Sequence, residues 1–170
     1  MKKYENLEYT LSEKSVIFLF VYYMLILIGG CMSAIHIGYS LTDQIEQPIL
    51  LLKTFIISLS VSGMLCSIQY IKRLYKACIT ERIVVQPNSY KNIGNIIYFI
   101  SRPFFAFVFS VVAIFCLLSG MFIVAGSLDY IINKKFLYLC VIVSAIVGFS
   151  VGKVLDKFQE ISTDRIDGLK

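Results

Sequence analysis

The sequence predicts an all-α polytopic membrane protein: a four-transmembrane-helix bundle with cytoplasmic helical extensions and both termini inside. Three observations predict it. Of the 170 residues, 58% are hydrophobic and the mean hydropathy is +0.78, more apolar surface than a globule of this size encloses in one core. The apolar residues fall into four blocks of about 20 or more, the length that crosses roughly 30 Å of hydrocarbon. Lys and Arg are also unevenly divided between the two sides that such blocks would create. Residues 1–170 therefore read as a single membrane domain.

The first block runs from Val16 to Tyr39. Thr10 and Glu13 have capping-box spacing just ahead of it. It is longer than the apolar core of a signal peptide, and its Gly-Gly-Cys is followed by more apolar residues, so it is expected to be a retained span. The second block, Pro48 to Tyr70, begins at a proline suited to a first helical turn. Beyond it, IKRLYKACITERI keeps helical character, so this helix is expected to project a few turns past the membrane.

A break follows at VVQPNSYKN. In NIGNIIYFISRP, Ile93, Ile96, Ile97 and Ile100 stand at i, i+3, i+4 and i+7. This predicts a short helix in the inner headgroup region, anchored by Tyr90 and Tyr98. Pro103 is then expected to restart the chain into a third span, Pro103 to Gly126. The fourth span is Phe136 to Val154. KVLDKFQEIS should continue it as an amphipathic extension, with Val154, Leu155, Phe158 and Ile161 on one stripe. The loop 71–102 and the C-terminal helix 155–170 would together form a small collar.

Basic residues orient the bundle. Lys2, Lys3 and Lys14 lie before the first span. Lys72, Arg73, Lys76, Arg82, Lys91 and Arg102 lie between the second and third, and Lys153, Lys157, Arg165 and Lys170 at or after the end of the fourth. Across the membrane stand only Lys134 and Lys135, with Lys53 just inside the second span. Both termini are expected to face the cytoplasm, and the net charge of +5 is accounted for by the inner leaflet rather than by nucleic acid.

The second span carries a polar stripe. Thr54, Ser58, Ser62, Cys66 and Gln69 follow one another every three or four residues and so share one face. Gly30, Ala34 and Gly38 in the first span, and Ser144, Gly148 and Gly152 in the fourth, form matching small faces. Small residues let helix backbones approach, and hydroxyls bond across helices, so these faces read as packing surfaces within the bundle or between subunits. The stripe has two other readings: a water-lined pathway, or a groove for lipid or a small molecule.

Other chemistry is poorly provided for. The centres of the spans hold no Asp, Glu, Lys or Arg, which argues against a proton-coupled carrier. His36, Lys53 and Asp129 cluster toward the outer face. Lys53 lies about 7 Å of helix rise past Pro48 and can snorkel to water; the alternative is an outer site pairing Lys53 with Asp129 beside His36. The single histidine makes no metal site alone. The five cysteines lie in spans or on the cytoplasmic side and share no ligand spacing. GFSVGK is one residue short of a phosphate loop and follows no strand. No cofactor is implied, and an enzyme is the least supported class.

RPFFAFVFS, FLYLCVIVSAIVGFSVGKVLDKF and the four-span, N-in and C-in layout together give a resemblance. The chain resembles the membrane subunits (KwaA) of Kiwa-type anti-phage defence systems in the bacterial inner membrane. That resemblance implies an oligomeric sensor working with a cytoplasmic protein that carries the effector activity. The expected function is a non-enzymatic sensor or scaffold, a homo-oligomer in the lipid bilayer, with Lys72, Arg73, Lys76 and Arg82 contacting the cytoplasmic partner or lipid. The alternative is a pore or channel lined by the second-span stripe.

Overall fold

The computed structural model describes residues 11–40, 47–79, 89–125 and 133–167. They form four helices: α1 (Glu13–Tyr39), α2 (Gln47–Ile79), α3 (Ser89–Ala125) and α4 (Lys134–Asp167). Each contains a stretch long and apolar enough to cross a membrane, and the described residues are otherwise turn or coil. The helices run up, down, up and down. Ile37 near the end of α1 packs with Leu50 near the start of α2, while Tyr23, Tyr70 and Phe99 from α1, α2 and α3 meet at the opposite end. α2 lies at the centre and packs against all three others.

The distribution of side chains is the reverse of a soluble bundle. Thr54, Ser58, Ser62, Ser67, Ser110 and Ser144 are fully enclosed, while Ile17, Leu25, Met32 and Ile35 on α1 are each at least 60% exposed. A large apolar face left bare by the protein is at home against lipid tails, which solvate Leu and Ile as well as a protein core does. The chain is built as a multi-pass membrane protein.

Helix ends show where local chemistry departs from the sequence reading. The N-cap of α1 is Ser12, whose Oγ accepts from the Ser15 amide at 3.2 Å, not a Thr10–Glu13 box; Thr10 lies outside the described residues. Ser12 wins because its hydroxyl also meets the Ser15 hydroxyl at 2.6 Å, while its own amide donates to Asn92 Oδ1 at the start of α3. Asn133 caps α4, its Oδ1 accepting from the Phe136 amide at 2.9 Å. Pro48 falls in the first turn of α2, where its missing N–H has no intrahelical role.

The largest departure is in α3. The separate interfacial helix and the restart at Pro103 do not occur. One 37-residue helix runs through Pro103, and its apolar span-length stretch is Asn92–Gly120. The four isoleucines also divide. Ile96 and Ile100 pack against the core beside Phe99, whereas Ile93 and Ile97 are exposed. Proline normally breaks a helix by withholding one N–H and crowding the carbonyl four residues back. Here α1 supplies the compensation described below.

α2 runs 33 residues and α4 34, each about 50 Å at 1.5 Å per residue. On the α4 extension Leu155 packs against the core and Val154 is partly exposed; Phe158 and Ile161 have no described side-chain placement.

Candidate functional site

Two polar regions stand out: the hydroxyl face of α2 and an arginine–tyrosine cluster where α1, α2 and α3 converge. Thr54, Ser58, Ser62 and Cys66 are fully buried, and Gln69 is half-buried. Helical spacing puts them on one side of α2, and that side faces α3 and α4. Ser62 Oγ donates to the Ala106 carbonyl of α3 at 3.0 Å. A Cβ added at Gly148 would lie 2.5 Å from the Ser62 carbonyl oxygen, so α4 crosses α2 with backbone nearly against backbone. Nearby, Ser110 Oγ donates to Ser144 Oγ at 2.6 Å and ties α3 to α4. Thr54 Oγ1 bonds its own helix at the Leu50 carbonyl, 2.8 Å away. Ser58 Oγ, Ser67 Oγ and Gln69 Oε1 are buried with no hydrogen-bond partner among the described residues.

The small faces serve unequally. Gly30 of α1 abuts Met64 and the Ser60 carbonyl, and Ala34 packs beside Ile37, Leu50 and Leu137. A Cβ added at Gly38 would meet no described atom within 4 Å, so among the described residues the α1 stripe makes no contact there. Gly152 lies against the Tyr70 hydroxyl and the Arg73 guanidinium. Gly63 was not singled out from sequence, yet Phe107 of α3 packs directly onto it.

Arg102 is the residue that sequence reading placed least well. Counted among the loop basics, it is only 3% exposed. Its guanidinium carbon lies 3.9 Å from the Tyr98 ring centroid and 5.8 Å from that of Tyr70, and Arg73 approaches the same Tyr70 ring at 5.3 Å. Tyr70 stacks on Tyr23 at 5.8 Å and meets Phe99 edge-on at 6.0 Å. Desolvated cation–π pairs are worth about 2 kcal/mol, and a guanidinium suits the face of a ring better than an ammonium. A signal was present: Tyr98 and Arg102 stand four apart, the spacing that brings helical side chains together.

The cluster also resolves Pro103. The carbonyl an N–H at position 103 would take is that of Phe99. Tyr23 Oη–H donates to it at 2.5 Å, and Tyr22 Oη–H donates to Ile100 O at 3.2 Å. In hydrocarbon a carbonyl deprived of its helical donor needs another from the protein.

At the opposite end, Lys53 Nζ donates to the Ser40 carbonyl at 2.7 Å. It thereby closes the C-terminal end of α1, a favourable place for a cation. His36 is exposed, and Asp129 lies outside the described residues. At the basic end Lys72 and Lys76 are exposed and Arg73 half-buried, while Arg82 lies outside the described residues. Cys66 and Cys140 are buried; Cys31, Cys78 and Cys116 are exposed. Among the described residues no group of three His, Cys, Asp or Glu side chains could hold a metal.

Compared with known proteins, the chain matches no protein-family model, no curated protein and no solved structure. Its own residues carry the assignment: a multi-pass membrane protein with four span-length helices.

Proposed function

We propose that this chain is a non-catalytic bacterial inner-membrane protein, an oligomeric sensor or scaffold that regulates a soluble partner at its basic end. In this reading both termini are cytoplasmic, and the chain belongs with the membrane subunits of Kiwa-type defence. One observation carries it. α2, α3 and α4 are 33, 37 and 34 residues long, against the roughly 20 that a span requires. The end of α2 carries exposed Lys72 and Lys76, and that of α4 carries exposed Lys153 and Lys157. Helix beyond the hydrocarbon gives a folded surface on which a soluble protein can dock.

The test is affinity purification from membranes of the native host. It compares wild type, a Lys72→Glu/Arg73→Glu/Lys76→Glu variant and a Lys134→Glu/Lys135→Glu control. A near-stoichiometric soluble protein retained by wild type and the control, and lost from the triple variant, is the expected result. Absence of any such protein from wild type would sink the scaffold reading. The enclosed position of Thr54, Ser58 and Ser62 weighs against a conducting stripe shared between copies. Expression alone is accordingly expected to leave a voltage-sensitive dye signal unchanged, and depolarisation would favour the pore.

A further inference from the structure

The meeting of Pro103, Tyr23 and Arg102 has a consequence for motion. Proline leaves α3 one backbone bond short at 99–103 and crowds the Phe99 carbonyl, so the ladder is weakest there. The donor that makes up the loss comes from Tyr23, on a different helix. α1 packs far less extensively on α3 than on α2, and the ties between them include three hydrogen bonds: Tyr23 to the Phe99 carbonyl, Tyr22 to the Ile100 carbonyl and the Ser12 amide to Asn92. Proline is the usual site of a kink in a helix, and here the borrowed donor accompanies a continuous one.

We propose that Pro103 is a hinge within α3 and that Tyr23 is the latch that holds it closed. In the closed state the Tyr23 hydroxyl bonds the Phe99 carbonyl, and Tyr22 adds a longer strap to Ile100. Release of these bonds, together with that of the Ser12 amide to Asn92, lets the segment 89–102 swing as a unit about Pro103.

The residues that would feel the swing are already in contact. Arg102 directly precedes the proline, and its guanidinium lies between Tyr98, which travels with the segment, and Tyr70 of α2, which does not. Opening therefore parts Arg102 from Tyr70 and breaks the edge contact of Phe99 with Tyr70. Outside the bundle the same segment presents Tyr90, Ile93 and Ile97 with little protein over them, so its outer face does not oppose the movement. The device would convert a disturbance at the α1–α3 contact into displacement of a buried charge at the basic end. It stands independently of any soluble partner.

A crossed pair of substitutions tests it, read by amide hydrogen exchange of the full chain in lipid nanodiscs. Exchange rates report local opening directly. The reporters are Phe104, Phe105 and Ala106, whose α-helical acceptors are Ile100, Ser101 and Arg102. Tyr23→Phe keeps the ring that stacks on Tyr70 and removes only the O–H. It is expected to speed exchange at these amides by about tenfold. Pro103→Ala restores an N–H for Phe99 and is expected to slow exchange by about tenfold. In the Pro103→Ala background, adding Tyr23→Phe should change it less than about twofold.

Equal acceleration by Tyr23→Phe in both backgrounds would overturn the latch, reducing Tyr23 to a packing residue, and so would no acceleration in either. Unchanged exchange in Pro103→Ala alone would overturn the hinge, even if the Tyr23 variants fail to insert.

Discussion

Both ends of the bundle have apolar cores, with Leu11, Leu19, Leu74 and Val151 buried at the basic one, but they differ in the directional bonds laid over that packing. At the basic end, Tyr22 and Tyr23 donate to α3 carbonyls, Arg102 is enclosed by two tyrosine rings, and Tyr70 packs against Tyr23 and Phe99. At the opposite end, Ile37, Leu50, Ile57 and Leu137 form one apolar cluster, and Ile114, Phe136 and Cys140 another. The main directional tie between α1 and α2 there is Lys53 on the Ser40 carbonyl. Dispersion contacts tolerate small shifts, whereas hydrogen bonds and cation–π pairs fix orientation and are lost as a unit. A region whose packing is overlaid by a few directional bonds is suited to switching between arrangements; one held by diffuse packing alone is suited to anchoring.

The strongest way to break this comparison is at the crossing that both ends share. Gly148→Ala would place a methyl 2.5 Å from the Ser62 carbonyl, forcing α4 away from α2. A loss of about 1–3 kcal/mol is expected for such overpacking, measured as unfolding in mixed detergent. Because the clash is with backbone, no rotamer change relieves it. An unaltered midpoint would mean that the two helices are not pressed together there.

The next effect belongs to the basic end alone. Arg102→Met keeps much of the side-chain volume but removes the charge over Tyr98 and Tyr70. It is expected to cost about 1–2 kcal/mol by the same unfolding measurement. The effect should shrink when Tyr98→Leu is already present, since the two changes remove one interaction. Full additivity would show that the rings do not hold the guanidinium.

The smallest effect is expected at the other end. Lys53→Met removes a cation from the end of α1 and should cost about 0.3–1 kcal/mol. Its readout is faster exchange at the last amides of α1, with those near Pro103 unchanged. Equal effects at both ends would erase the distinction between a switching end and an anchoring end.

Much of this was legible in the residues. The apolar blocks announced four span-length helices, because hydrocarbon thickness sets their length and composition directly. The spacing Thr54, Ser58, Ser62, Cys66 announced a common face. It could not say whether that face meets a neighbour or water, since both environments accept small hydroxyls at helical spacing. Pro103 was misread for a clear reason. Proline is a local signal for a helix break, but the donor that keeps α3 continuous comes from Tyr23, 80 positions earlier.

Sequence by itself thus determined the helical class, the presence of four span-length apolar helices and the concentration of positive charge at one end, all properties of a helix and its solvent. Tertiary structure alone separated glycines that sequence treated alike or passed over: Gly63 meets Phe107, while Gly38 meets no described neighbour. It also decided that Arg102 lies among tyrosines and that α1 completes the hydrogen bonding of α3. Those outcomes depend on which faces of separate helices come together, and helical period alone does not encode that choice.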